Sequence, residues 1–176
     1  MNIGSFTPPW RVPMFINGSL SFSALSYFKN QPLVLCCPSS LTNEETLLLE
    51  TQIDHFHKRN AALAAFVSRD TTHNLPWNLP SLKFGLPLIT DPLNRLSRAL
   101  GLARNLVAKR CETLFIDLHG RLEFRLIHDL TPSGITRVLE VTDRYFSLNA
   151  PRRLQAPEKV LEVDISALHG RVPTAT

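Results

Sequence analysis

Pro32-Leu33-Val34-Leu35-Cys36-Cys37-Pro38-Ser39-Ser40-Leu41-Thr42-Asn43-Glu44-Glu45-Thr46-Leu47-Leu48-Leu49-Glu50 passes from an unbroken apolar run into the start of a helix. Leu33 to Cys37 has the composition of a strand buried on both faces, where alternation is lost because neither face meets water. Pro38, which cannot donate to a ladder, ends it. Thr42 with Glu45 three residues on spells a capping box, in which the hydroxyl takes one free amide and the carboxylate another. Leu49, Ile53 and Phe56 recur at helical spacing, predicting one helix over residues 43–59. This order sets the unpaired amides and positive dipole end of a helix close to the end of a buried strand.

Upstream, residues 12–16 and 19–22 flank Asn17-Gly18, a pair that tolerates positive φ and predicts a hairpin. Ser23 is placed to cap a short helical turn through Tyr27. Downstream, residues 61–67 form a second short apolar run, which closes a βαβ unit. Residues 70–83 are polar, are broken by Pro76 and Pro80, and read as a surface loop carrying His73 and Trp77. Residues 86–89 read as a strand, and Asp91-Pro92 as the N-cap and first position of a helix that ends at Gly101. Residues 112–117 and 121–126 make a second hairpin around Leu118-His119-Gly120. Ile135, Val138, Leu139, Thr142, Tyr145 and Phe146 line one face of a closing helix. The expected organisation is one domain over residues 1–148 and a tail, 149–176, punctuated by Pro151, Pro157 and Pro173.

A chain of 176 residues, 44% hydrophobic and 19% charged, suffices for one domain with a substantial core. Its net charge of +4 comes from Lys and Arg that are scattered, apart from Lys109-Arg110 and Arg152-Arg153, so no nucleic-acid surface is expected. No apolar run approaches the ~20 residues that span a bilayer, and residues 1–10 lack the features of a signal peptide, which predicts a cytoplasmic protein away from membranes. Three cysteines are too few for a disulfide framework. Cys36 and Cys37, adjacent in a strand, point to opposite faces and read as small core hydrophobes. Cys37 draws attention at the carboxyl end of its strand, where α/β folds tend to build sites. No Cys-x-x-Cys, no Cys and His at metal spacing and no Gly-rich phosphate loop occurs, so neither metal nor cofactor is predicted.

Pro38-x-x-x-Thr42-x-x-Glu45 resembles the Pro-x-x-x-Thr/Ser-x-x-Cys hallmark of the peroxiredoxins, the alkyl hydroperoxide reductase C and thiol-specific antioxidant family. Val67-Ser68-Arg69-Asp70, Leu86-Pro87-Leu88-Ile89-Thr90-Asp91-Pro92 and Leu114-Phe115-Ile116-Asp117-Leu118-His119-Gly120 resemble further family segments in the family's order, over roughly residues 4–146. The resemblance implies a thioredoxin-like α/β fold of peroxiredoxin type: a central mixed sheet of about five strands, helices on both faces and an N-terminal β-hairpin.

The resemblance also marks a site. In the family a thiolate in the first helical turn is stabilised by amides, the helix dipole and an arginine, and it attacks a peroxide held by the Thr hydroxyl. Here Glu45 stands in the cysteine's place beside Thr42 and Pro38, and a carboxylate cannot be oxidised in that way. Glu50 stands where one subgroup has its resolving cysteine. Cys111 falls at the position of the family's second arginine, with Arg110 one residue away and hence on the opposite face. His73 and Trp77 lie near a His and a Trp that flank the pocket in many members. These departures imply a protein without the peroxidatic cysteine, acting as a binding or assembly protein, homodimeric and open to a protein partner. The alternative is a thiol oxidoreductase using Cys37 or Cys111.

Overall fold

Leu33–Pro38, buried at all six positions, forms the strand around which the sheet is laid. The computed structural model describes residues 1–23, 25–28, 31–39, 41–68, 85–102 and 110–146. In chain order these hold β1 (Val12–Ile16), β2 (Ser19–Ser23), a 3-10 turn (Leu25–Phe28), β3 (Leu33–Pro38), α1 (Asn43–Glu50) and α2 (Ile53–His57). There follow β4 (Ala62–Ser68), β5 (Leu88–Asp91), α3 (Arg95–Leu100), β6 (Arg110–Ile116), β7 (Leu122–Asp129) and α4 (Pro132–Phe146). The expected tail of residues 149–176 and the loop with His73 and Trp77 lie outside the described residues.

The sheet has seven strands in the order β2-β1-β5-β4-β3-β6-β7, two more than the five expected. The N-terminal hairpin accounts for the difference, because β1 pairs with β5 through Met14↔Ile89 and Phe15↔Leu88 and so joins the sheet. Its turn is built as anticipated, with Asn17 at φ 50° and Gly18 at φ 75°. β3, β4 and β5 run parallel, and β6 and β7 continue the sheet antiparallel.

Alternation along the central strands supplies two cores. Val34, Cys36, Leu63, Ala65, Cys111 and Phe115 face one side, under Leu49 of α1, Phe56 of α2 and Ile135 and Val138 of α4. Leu33, Leu35, Cys37, Phe66, Leu114 and Ile116 face the other, against Leu96 and Leu100 of α3 with Trp10 and Phe28. Burying a Leu or Phe side chain contributes about 1.5–3 kcal/mol, so these two layers dominate the favourable side of folding.

The helix expected over residues 43–59 is two helices, α1 and α2, separated at Thr51 and Gln52. The amide of Gln52 bonds to Leu49 O, an i→i−3 tightening that breaks the α ladder while Leu49 and Phe56 stay buried on one side. α3 also begins later than expected. Its N-cap is Asn94, at φ 51°, and Asp91 serves it from three residues upstream by accepting from Arg95 N, Ser97 N and Ser97 Oγ. Gly101 closes α3 in the left-handed conformation, as read from the sequence.

β7 carries a feature the sequence left hidden. Its pairing with β6 slips between Phe115 and Ile116, so that Ile116 faces Leu122 and Phe115 faces Phe124. Glu123 is the extra residue of a β-bulge, and the strand changes face there. Leu122 packs in the α3-side core, whereas Leu126 and the partly buried Phe124 pack in the α1-side core.

Candidate functional site at the first turn of α1

Thr42, extended at φ −87° and ψ 168°, ends the chain's approach from β3 and caps α1. Its Oγ1 accepts from Glu45 N at 3.2 Å, and its own N–H donates to Glu45 Oε2 at 2.8 Å. Both halves of the capping box are therefore made, on an exposed surface, with Glu45 half-buried. The Thr42 hydroxyl and the amide of residue 45 are committed to each other, and the Glu45 carboxylate adds a negative charge at the positive end of α1. Thr46 lies beneath, its hydroxyl donating to Thr42 O at 2.8 Å. Glu50, at the other end of α1, accepts from Gly85 N at 2.8 Å.

Pro38 is opposite Cys111 at the start of β6, and Ser39 N donates to Arg110 O at 2.9 Å. The Arg110 guanidinium pairs with Asp129 of β7 at 3.3 Å, which engages it with the far end of the hairpin. Cys37 does not share the α1 side of the sheet. It lies in the α3-side core, where burial first and the Glu112 carboxylate second push its thiol pKa well up. Cys111 is on the α1 side, and burial again raises its pKa well above the ordinary thiol value. Of the two thiols singled out from sequence, one is on the wrong face for the α1 site and both are held protonated.

Cys36, read from sequence only as a core residue, behaves differently. Its pKa is lowered, chiefly because the Cys111 side chain hydrogen bonds to it, against the opposing effect of burial. Thr113 Oγ1 lies 3.5 Å from Cys36 Sγ and 3.7 Å from Cys111 Sγ. The same oxygen is 2.8 Å from His128 Nε2, and His128 Nδ1 is 2.9 Å from Asp129 O. His128 is 2% exposed, and burial lowers its pKa, so the imidazole is neutral at neutral pH. The sequence signal for this group was weak: a His in a strand that also carries Glu123, Arg125 and Asp129, with its partner fifteen residues away on β6. Among the described residues no group of three His, Cys, Asp or Glu side chains is placed to hold a metal ion, and no helix is long and apolar enough to cross a membrane.

No protein-family model matches the sequence, and no curated protein matches it. Solved structures do. The reduced 2-Cys peroxiredoxin of Plasmodium vivax is similar at TM-score 0.61 and 16% identity, over 81% of this chain and 80% of that one. AhpC of Mycobacterium tuberculosis is similar at TM-score 0.60 and 18% identity, over 81% and 92% of the two chains. AhpC of Enterococcus faecalis is similar at TM-score 0.59 and 14% identity, over 81% and 93%. At these identities the likeness is one of fold, and the fold is that of the peroxiredoxins.

Proposed function

From this peroxiredoxin fold we propose a protein that has given up peroxide chemistry at the first turn of α1 and serves as a binding or assembly protein. The observation that carries the reading is the closed capping box of Thr42 and Glu45. Peroxide reduction there requires a nucleophilic sulfur and free donors at the helix end to stabilise the thiolate and the leaving oxygen. At this position a carboxylate replaces the sulfur, and it accepts from the Thr42 amide at the helix end. Arg110, which would be needed to stabilise a thiolate, is paired with Asp129 instead.

Assembly as a homodimer is supported by β7, which ends the sheet on one side. Beyond its first residue, where Gly4 N donates to Leu122 O, an edge strand of this kind is a template for a second strand.

The test is Glu45→Cys, which recreates Pro-x-x-x-Thr-x-x-Cys. The helix end should depress the pKa of the new thiol, giving slow, dithiothreitol-dependent consumption of hydrogen peroxide above that of the parent. Equal rates in variant and parent would overturn the reading of Glu45 as the occupant of a retired peroxidatic position.

A further inference from the structure

β2 ends the sheet on the side away from β7. The two-residue turn at Asn17-Gly18 makes Ile16 and Ser19 a hydrogen-bonded pair, and bonded and non-bonded pairs alternate from there. Phe15↔Leu20 and Pro13↔Phe22 are therefore non-bonded pairs, consistent with Pro13 having no N–H and with its carbonyl accepting from Thr90 Oγ1 on the β5 side. Leu20 and Phe22 accordingly turn both N–H and C=O away from β1, towards the outer edge. Their side chains stand on the face of Pro13 and Phe15 and are 59% and 64% exposed. Ser19–Ser23 carries no charge and no proline, and its pairing with β1 runs without a bulge, so the usual guards of an open edge are missing. The same two residues thus offer free backbone groups and exposed apolar surface.

We propose that this edge is the docking site of the chain's own residues 161–167, Leu-Glu-Val-Asp-Ile-Ser-Ala, which add to β2 as an eighth strand. The assignment goes beyond the reading of Glu45 and does not depend on it. Of the stretches outside the described residues, this is the one whose sequence alternates apolar and polar over the length of a strand. Residues 69–84 are broken by Pro76 and Pro80, and residues 103–109 do not alternate. In the proposed pairing Leu161, Val163 and Ile165 share a face with Leu20 and Phe22 and shield them from water. Glu162 and Asp164 then fall on the other face beside Ser19 and Ser21, whose hydroxyls can donate to carboxylates.

The covalent path is long enough and starts on the correct side. α4 ends with the Phe146 ring 6.2 Å from that of Phe115 on β6, on the same face of the sheet as Phe15 and hence Leu20. From β6 to β2 the sheet order is β6-β3-β4-β5-β1-β2, five strand spacings or about 24 Å. Residues 147–160, fourteen in all, reach about 46 Å when extended, nearly twice that distance. A second copy is the poorer occupant. Two β2 edges would bring together five residues a side, against the about 20–30 a side of a stable interface. A tethered segment needs far less, since its local concentration is on the order of millimolar.

Amide hydrogen exchange of the full-length protein, followed residue by residue by NMR, reads both partners. The amides of Leu20 and Phe22 and alternate amides within residues 161–167 should exchange about tenfold or more slowly relative to an unstructured chain. Val163→Pro, which removes an N–H from the segment without touching the sheet, should return Leu20 and Phe22 to the unprotected rate. Gln155→Pro, outside the segment, should change neither partner. Phe22→Ser, at an exposed position, should release residues 161–167. Fast exchange at Leu20 and Phe22 in the parent would overturn the docking. Slow exchange there that survives Val163→Pro would give the edge to residues 69–84 or to a second copy and overturn it equally. Slowing that fades on tenfold dilution would place another copy's segment on the edge and overturn docking within one chain.

Discussion

The carboxylate of Glu112, 1% exposed in the middle of the sheet, is gripped by the guanidinium of Arg125 from the neighbouring strand. Arg125 also donates to Leu100 O at 2.8 Å and Gly101 O at 2.9 Å, so one side chain neutralises a buried charge and satisfies the carbonyl end of α3. The bulge at Glu123 is what brings Arg125 to this face. Arg125→Met should cost about 3–5 kcal/mol of folding free energy, because it strands a buried carboxylate. Arg125→Lys should recover only part, since an ammonium cannot fork between three acceptors. Urea unfolding of the three proteins checks both, and a loss below 1 kcal/mol for the methionine variant would refute the account.

Glu45→Ala should destabilise by about 0.5–1.5 kcal/mol through loss of its bond to Thr42 N and of its charge at the helix end. Glu45→Gln should lose less, because it keeps the hydrogen bond. Thermal unfolding in low and high salt separates the two, since only the charge contribution is screened.

His128 gives the fold a pH dependence whose sign follows from its burial. Its pKa in the folded protein is below the ordinary 6.5. Between those values the unfolded chain binds a proton that the folded one does not. Its contribution is therefore fully present above pH 6.5 and is lost as pH falls towards the folded pKa. Stability measured over this window should decline on acidification, and His128→Gln should flatten that decline.

All three cysteines are buried, Cys36 and Cys111 fully and Cys37 to 5% exposure. Cys111 lies in the core layer that α1 and α4 cover. A bulky disulfide reagent should modify none of them quickly in the native protein and all three after denaturation. Fast native labelling of Cys111 would contradict the burial described.

Light scattering at tens of micromolar should show a homodimer. A monomer alone at that concentration would remove the assembly half of the proposed function.

How much of this was legible beforehand depended on whether the deciding contact was local. Asn17-Gly18 and the Thr42–Glu45 box are settled by residues within three positions of one another, and both formed as read. The break at Thr51 and Gln52 was hidden because Leu49, Ile53 and Phe56 keep the same spacing on either side of it. The start of α3 was misplaced because Asp91 caps through its side chain, across Asn94, instead of from the N-cap position. Alternation put Cys36 and Cys37 on opposite faces, yet which face α1 would cover is decided by the crossover to β4. The Thr113–His128 contact depends on the register of β7 beyond the bulge, and no spacing within one strand reports that.

The first seven residues set a limit on symmetry. Gly4 and Ser5 bond to Leu122, Thr7 N bonds to Gly120 O, and Phe6 lies against the Arg121 guanidinium, so the start of the β7 edge is already taken. Two copies pairing antiparallel along that edge would overlap over residues 123–129, which sets the twofold axis beside Leu126. The product is a continuous sheet of twice the seven strands, with a β2 hairpin at each extremity. In such a pairing the first seven residues, held against residues 120–122, would limit how far the two β7 strands can overlap.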